Sequence, residues 1–155
     1  MENTSEKSWY KASEIQLVYK SKVLTSQRPS IKSSADACRI LREAWEDENI
    51  DFLEQFKVLL LNRANKVLGI VEISKGGTAG TVVDPKIVFA AAIKTNCSAL
   101  ILAHNHPSGN LRPSDQDIRL TRKLKECGNL LEINVWDHLI ITREGYLSFA
   151  DEGLL

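Results

Sequence analysis

Alternating apolar and polar residues over Glu14–Val23, with Ile15, Leu17 and Tyr19 in phase, predict an edge strand. A polar linker containing Pro29 follows. Ser33 or Ser34 then caps a helix running to about Asn49, with Ala37, Ile40, Leu41 and Ala44 on one face. Gln55–Leu61 and Lys66–Ser74 read as a hairpin joined by the turn-like Asn62–Asn65. A glycine-rich loop, Lys75–Gly80, leads to Asp84-Pro85, an N-cap followed by proline at the first helical position, and Lys86–Asn96 supplies that helix. The short apolar run Ser98–Ala103 suits a buried strand. His104–Pro113 carries two prolines and a glycine and reads as a loop. Ser114 caps a second long helix ending near Cys127, with Gly128 as its C′ residue. Ile133–Trp136, His138–Thr142 and Tyr146–Phe149 complete the strands, the last pair joined by a turn at Arg143–Gly145. The sum is one mixed α/β domain over residues 31–155, a central mixed sheet flanked by helices, preceded by an arm over residues 1–30 of which residues 1–13 are loosely held.

Composition narrows the class. A chain of 155 residues with 43% hydrophobic positions can bury roughly two-thirds of its unfolded surface. Twenty basic residues balance twenty acidic ones, so no global basic surplus marks a nucleic-acid binder. A local surplus stands at the front, where residues 1–42 hold eight Lys or Arg against four acids, a pattern expected of a solvated arm. Cys38, Cys97 and Cys127 form no CxxC pair, which argues against a disulfide framework or a thiolate zinc site. No apolar run approaches a membrane span and the N-terminus has no signal-peptide core, so a cytoplasmic chain with no membrane partner is expected.

The candidate chemistry begins at His104-Asn105-His106. Side chains two apart on an extended chain point the same way, so two imidazoles at this spacing can chelate one ion at the end of a sheet. By itself an HxH is weak. Asp117, three positions beyond the cap Ser114, lies in the first turn of the following helix and can face back to the loop, whose path Pro107, Gly109 and Pro113 restrict. Two imidazoles and a carboxylate make the three-ligand set of a catalytic zinc that keeps one position open. Asp115 competes but points about 200° away around the helix. A capping-box role for Asp117, bonding back to the Ser114 N–H, stands equally open on these grounds.

The stretch HNHPSGNLRPSDQD, His104–Asp117, resembles the JAMM (MPN+) motif, H-x-H, seven residues, S, two residues, D, and its HNHPSG opening is that of the RadC-like branch. The likeness takes in EQFKVLLLN (Glu54–Asn62), Gly76–Thr78, the run from Val83 through Gly109, and WDHLIITREGYLSF (Trp136–Phe149), about 100 of the 155 residues. It implies a JAB-type fold, a cytidine-deaminase-like layered α-β-α arrangement. It also implies one zinc ion held by His104, His106 and Asp117, with Ser114 bonding the reacting oxygen and Glu54 as general base. Glu72, within VEIS, is the weaker candidate for that base. The activity implied is hydrolysis of a peptide or isopeptide bond in a protein or peptide substrate. A reading from another class keeps the fold as a docking module, catalytically idle and associated with DNA-processing partners.

Other signals fall away. The letters HNH stand adjacent, whereas the nuclease class of that name spreads them along a ββα unit. A zinc deaminase needs H-x-E and P-C-x-x-C, and Lys75–Gly80 lacks the order of a phosphate-binding loop. Asp137-His138 reads as a structural, hydrogen-bonded pair. Full-length proteins of the resembling family carry a helix-hairpin-helix region that the residues before Glu54 are too few to hold, so direct nucleic-acid binding is not expected.

Overall fold

The computed structural model describes residues 12–77 and 80–155. Its elements are α1 (Ser34–Glu43), α2 (Asp47–Ile50), β1 (Gln55–Leu61), β2 (Val67–Lys75), α3 (Pro85–Lys94), β3 (Ala99–Asn105), α4 (Asp115–Leu130), β4 (Asn134–Ile141) and β5 (Tyr146–Ser148). The strands form one sheet in the order β2-β1-β3-β4-β5. Only β3 and β4 run parallel, joined by the crossover helix α4; the other pairs are antiparallel. The fold is thus mixed α/β, with a five-stranded mixed sheet flanked by helices.

Central strands buried on both sides read as continuous apolar runs, and β1 and β3 are buried along their whole length. Alternation divides their side chains between two cores. Leu59, Leu61, Ile101 and Ala103 face α1 and Trp45, whereas Phe56, Val58, Leu60, Leu100 and Leu102 face α3 and α4. No helix among the described residues is long and apolar enough to cross a membrane.

Four expectations need correction. Glu14–Val23 joins no strand, and Ile15 and Leu17 stand 83% and 78% exposed. Pro29–Ile31 takes the pairing position at the start of β2 instead, through Val67 N–H to Pro29 O and Ile31 N–H to Asn65 O, both 2.9 Å. Beyond it, side chains use the outer carbonyls: Arg28 donates to Val67 O and Leu68 O, and the Tyr19 hydroxyl to Leu68 O. The helix expected to reach Asn49 breaks after Glu43, because Trp45 turns into the core and Ala44 O accepts from Lys57 Nζ at 2.9 Å. Gly128 is not a C′ residue. Helix α4 runs through it to Leu130, and the left-handed residue that ends the turn is Glu132 (φ 57°). The two strands expected on either side of Asp137 are one strand with a bulge. Leu100 pairs with Val135 but Ile101 with Asp137, leaving Trp136 as the extra residue. The loosely held segment expected over residues 1–13 lies almost wholly outside the described residues.

Candidate metal centre

Strand β3 extends two residues beyond its apolar run, so His104 and Asn105 belong to it. The antiparallel register pairs Phe56 with His104. Continued by two residues, it brings Glu54 opposite His106, and period-2 alternation sets Glu54, Phe56, His104 and His106 on the α3/α4 side. Asn105 points the other way and clips the approach to β1. Its Oδ1 accepts from Gln55 N–H (2.7 Å), and its Nδ2 donates to Ile50 O (2.9 Å) and Leu53 O (2.8 Å). The glycine loop completes this edge. Gly76 N–H donates to Glu54 O at 2.9 Å, and a Cβ on Gly76 would stand 2.1 Å from Gly80 O.

Helix α4 supplies the third wall. Ser114 and Asp117 form a reciprocal capping box: Ser114 Oγ accepts from Asp117 N–H at 3.0 Å, and Asp117 Oδ2 accepts from Ser114 N–H at 2.9 Å. The same carboxylate reaches the histidines, Oδ1 lying 3.4 Å from His104 Nε2 and Oδ2 3.4 Å from His106 Nε2. The cap and the imidazole contacts, alternatives from sequence, coexist. The two Nε2 atoms are 2.9 Å apart, and one ligand atom from each of His104, His106 and Asp117 lies within 4.8 Å of the others. Asp115 is exposed and outside this trio.

Glu54, Ser114 and the trio line one cavity of about 1020 Å³, together with Gly76, Gly77 and Gly80. Glu72 is not among them. It pairs with Lys57, so it lies on the opposite side of the sheet, where its carboxylate accepts from Gln55 Nε2 at 2.7 Å. The two candidate bases are separated by the sheet itself. A second cleft of about 880 Å³, bounded by Asn62, Asn96, Asn134 and Trp136 at the far end, gathers no such trio among the described residues.

The electrostatics follow from this packing. Burial alone would raise the Asp117 carboxyl, but hydrogen bonding to His104 and His106, the His104 charge and the Ser114 N–H hold it well below the usual carboxylate range. Burial would lower His106. Its bond to Asp117, the Asn110 carbonyl and the charges of Asp117 and Glu54 outweigh that and raise it. Burial raises Glu54, against the opposing influence of His104 and His106.

The donor set fits a divalent transition metal. His106 Nδ1 lies 2.6 Å from Asn110 O, an acceptor, so Nδ1 carries the hydrogen and Nε2 presents its lone pair to the trio. Nitrogen, nitrogen and carboxylate oxygen suit zinc and leave a coordination position open.

Three residues at the site escaped the sequence reading. Asn105 was visible only as the middle letter of HxH. Thr121 carried no signal. The sequence pairs His138 with Asp137, and Asp137 does accept from the His138 main-chain N–H at 2.7 Å. The Asp137 side chain, however, faces Ser148 and Ala150, while the His138 ring faces His104 and Thr121. Consecutive strand residues face opposite sides, and the bulge at Trp136 is what gives His138 rather than Asp137 the α4 side.

An α/β sheet with a His-His-Asp trio where a parallel strand meets its crossover helix defines a class, a domain built around a candidate metal centre. The chain belongs to the RadC-like JAB domain family, whose sequence model matches residues 31–154. It is 50% identical over 101 residues to a UPF0758 protein of Flavobacterium johnsoniae, covering 65% of this chain and 44% of that protein. A UPF0758 protein of Porphyromonas gingivalis is 48% identical over 103 residues, covering 66% and 45%. One from Staphylococcus haemolyticus is 42% identical over 128 residues, covering 83% and 55%. The chain therefore spans about half the length of these relatives.

Proposed function

We propose that this chain is a zinc-dependent hydrolase that cleaves a peptide or isopeptide bond. The observation that carries the reading is the convergence of His104, His106 and Asp117 in one cavity with Glu54. His104 Nε2, His106 Nε2 and a carboxylate oxygen of Asp117 are the ligands. Zinc, when bound, supplies Lewis acidity that makes water nucleophilic near neutral pH and polarises a carbonyl.

The chain's own groups do the rest. Glu54, partly buried and raised above an ordinary glutamate, accepts the proton of the attacking water and delivers it to the departing amine nitrogen as the carbon–nitrogen bond breaks. Ser114 Oγ receives the Asp117 N–H, so its own hydrogen is free to donate to the developing oxyanion. Asp117, kept ionised by its contacts with His104 and His106 and by the Ser114 N–H, balances the charge of the site. Gly76 and Gly77 form a side-chain-free wall along which an extended substrate backbone fits.

Elemental analysis of tag-free protein, beside the His104→Ala/His106→Ala double variant, tests the metal. Near-stoichiometric zinc in the native chain and little in the variant is expected. Glu54→Gln should retain zinc and fold while lowering turnover of amide substrates by about 10²–10⁴-fold. Unchanged turnover would remove Glu54 as the base.

A further inference from the structure

Behind the candidate ligands runs a chain of buried polar groups that the hydrolytic reading does not use. His138 is fully buried, and both its ring nitrogens are engaged. Nε2 lies 2.7 Å from His104 Nδ1, and Nδ1 lies 2.6 Å from Thr121 Oγ1. Thr121 Oγ1 in turn donates to the main-chain carbonyl of Asp117, one helical turn earlier, at 2.7 Å.

The direction of every bond in this chain follows from its last member. A carbonyl only accepts, so the single hydroxyl hydrogen of Thr121 is committed to Asp117 O. The hydroxyl oxygen then offers only lone pairs to His138, and His138 Nδ1 carries the hydrogen between them. In the neutral ring Nε2 is therefore bare, and the 2.7 Å contact with His104 requires the hydrogen to sit on His104 Nδ1. His104 Nε2 is left with its lone pair, aimed at the trio. The opposite direction would place a hydrogen on His104 Nε2, between His106 and Asp117, where it would block a metal. His106 reaches the same tautomer independently, through Asn110 O.

The packing keeps this relay in line. The His138 ring stacks on Phe149 with centroids 4.7 Å apart and meets the edge of Phe56 at 5.5 Å, while Phe56 stacks on His104 at 6.0 Å. Neither imidazole has room to swing away from the other.

We propose that Thr121 and His138 act as a tautomer lock that presets His104 as a metal ligand, making both of them positioning residues of the candidate centre. The inference rests on the metal-site reading above. It ties helix α4 to the trio twice, once through the Asp117 carboxylate and once through its main-chain carbonyl. In Thr121→Val the acceptor for His138 Nδ1–H is lost, and His138 is free to move its hydrogen to Nε2 and donate to His104, the wrong direction for ligation.

The test uses the full chain and zinc alone. Competition with a chromophoric chelator should show Thr121→Val binding zinc about 10–100-fold more weakly than the native chain. Thr121→Ser, which keeps the hydroxyl, should recover most of the loss. Long-range ¹H–¹⁵N spectra of the metal-free native protein should show His104 with its hydrogen on Nδ1, and a shift towards the Nε2–H form in Thr121→Val. A native chain that binds no zinc removes the metal-site reading and the lock with it. A native chain that binds zinc while Thr121→Val binds it equally well overturns the lock alone. A loss that serine does not restore assigns Thr121 to packing and overturns it too. Should the valine variant fail to fold, a native spectrum with His104 in the Nε2–H form refutes the lock.

Discussion

Gly128→Ala sets two physical effects against each other, and the structure says which wins. Gly128 lies inside α4, where replacing glycine by alanine ordinarily stabilises a helix by about 1 kcal/mol. Here a Cβ would stand 2.4 Å from Ile133 O and 3.4 Å from Val135 Cγ2. A carbon–oxygen contact is comfortable near about 3.3 Å, so almost an ångström must be found. Neither side yields cheaply. Ile133 N–H donates to Gly128 O at 2.9 Å, so the carbonyl in the way belongs to the residue that caps the helix. The connection also turns through Glu132 in the left-handed region, and β4 begins two residues on. Overpacking a well-fitted interior costs about 1–3 kcal/mol or more, which exceeds the propensity gain at all but the low end. A net loss of about 1–2 kcal/mol is expected, or a fall in Tm of about 2–8 °C for a domain of this size. Thermal and urea denaturation of native and variant protein measure it directly. A variant as stable as the native chain, or more so, would refute the close approach of α4 to β4.

Two further perturbations probe the region around the trio. Asn105→Ala strips partners from Gln55 N–H, Ile50 O and the half-buried Leu53 O at once, and at about 1–3 kcal/mol for each of the first two, both buried, it should destabilise by at least about 2 kcal/mol in urea titration; a loss below about 1 kcal/mol would mean the clip is solvated. In metal-free protein, the Asp117 carboxylate and the Asn110 carbonyl raise His106 above the 6.5 of a free imidazole, so its contribution to stability is complete below that pH and is lost as pH rises through the folded value. Asp117 is depressed below 3.8, so its contribution is present above that pH and lost only in acid. Metal-free protein should thus lose this stabilisation on going from pH 6 to pH 8, while zinc affinity rises over the same interval as the metal ceases to compete with the His106 proton. Zinc affinity independent of pH across that interval would contradict the His106 assignment.

Much of the fold is legible because local signals decide it. The caps Asp84 and Ser114 stand where the sequence puts them, Ser33 is the cap of the pair Ser33 and Ser34, and the apolar runs of β1 and β3 are the two central strands. What escapes is set by partners distant in sequence. Glu14–Val23 has the alternation of a strand, but alternation does not say whether an edge is free, and Pro29–Ile31 and the Arg28 side chain already hold the end of β2. Gly128 has the composition of a helix stop and is instead a point of close approach, a distinction visible only when the carbonyl of Ile133 is in place. The bulge at Trp136 changes no composition, yet it decides on which side of the sheet every later residue of β4 falls.

The same division runs through the candidate site. His104, His106 and Asp117 sit within fourteen consecutive residues spanning the end of β3 and the start of α4, so a linear motif can hold all three. Glu54 is fifty residues upstream, and antiparallel register makes it a neighbour of His106. That register also separates it from Glu72, which pairs with Lys57 on the other face. His138 and Thr121 depend on one more condition, the bulge. Without the extra residue at Trp136, alternation from Val135 would send the His138 ring towards α1 and leave His104 Nδ1 without this acceptor. Organisation of the trio therefore does not wait for a metal. The capping box fixes the Asp117 carboxylate in place, the Asn110 carbonyl fixes one imidazole, and a strand irregularity nineteen residues beyond Asp117 fixes the other.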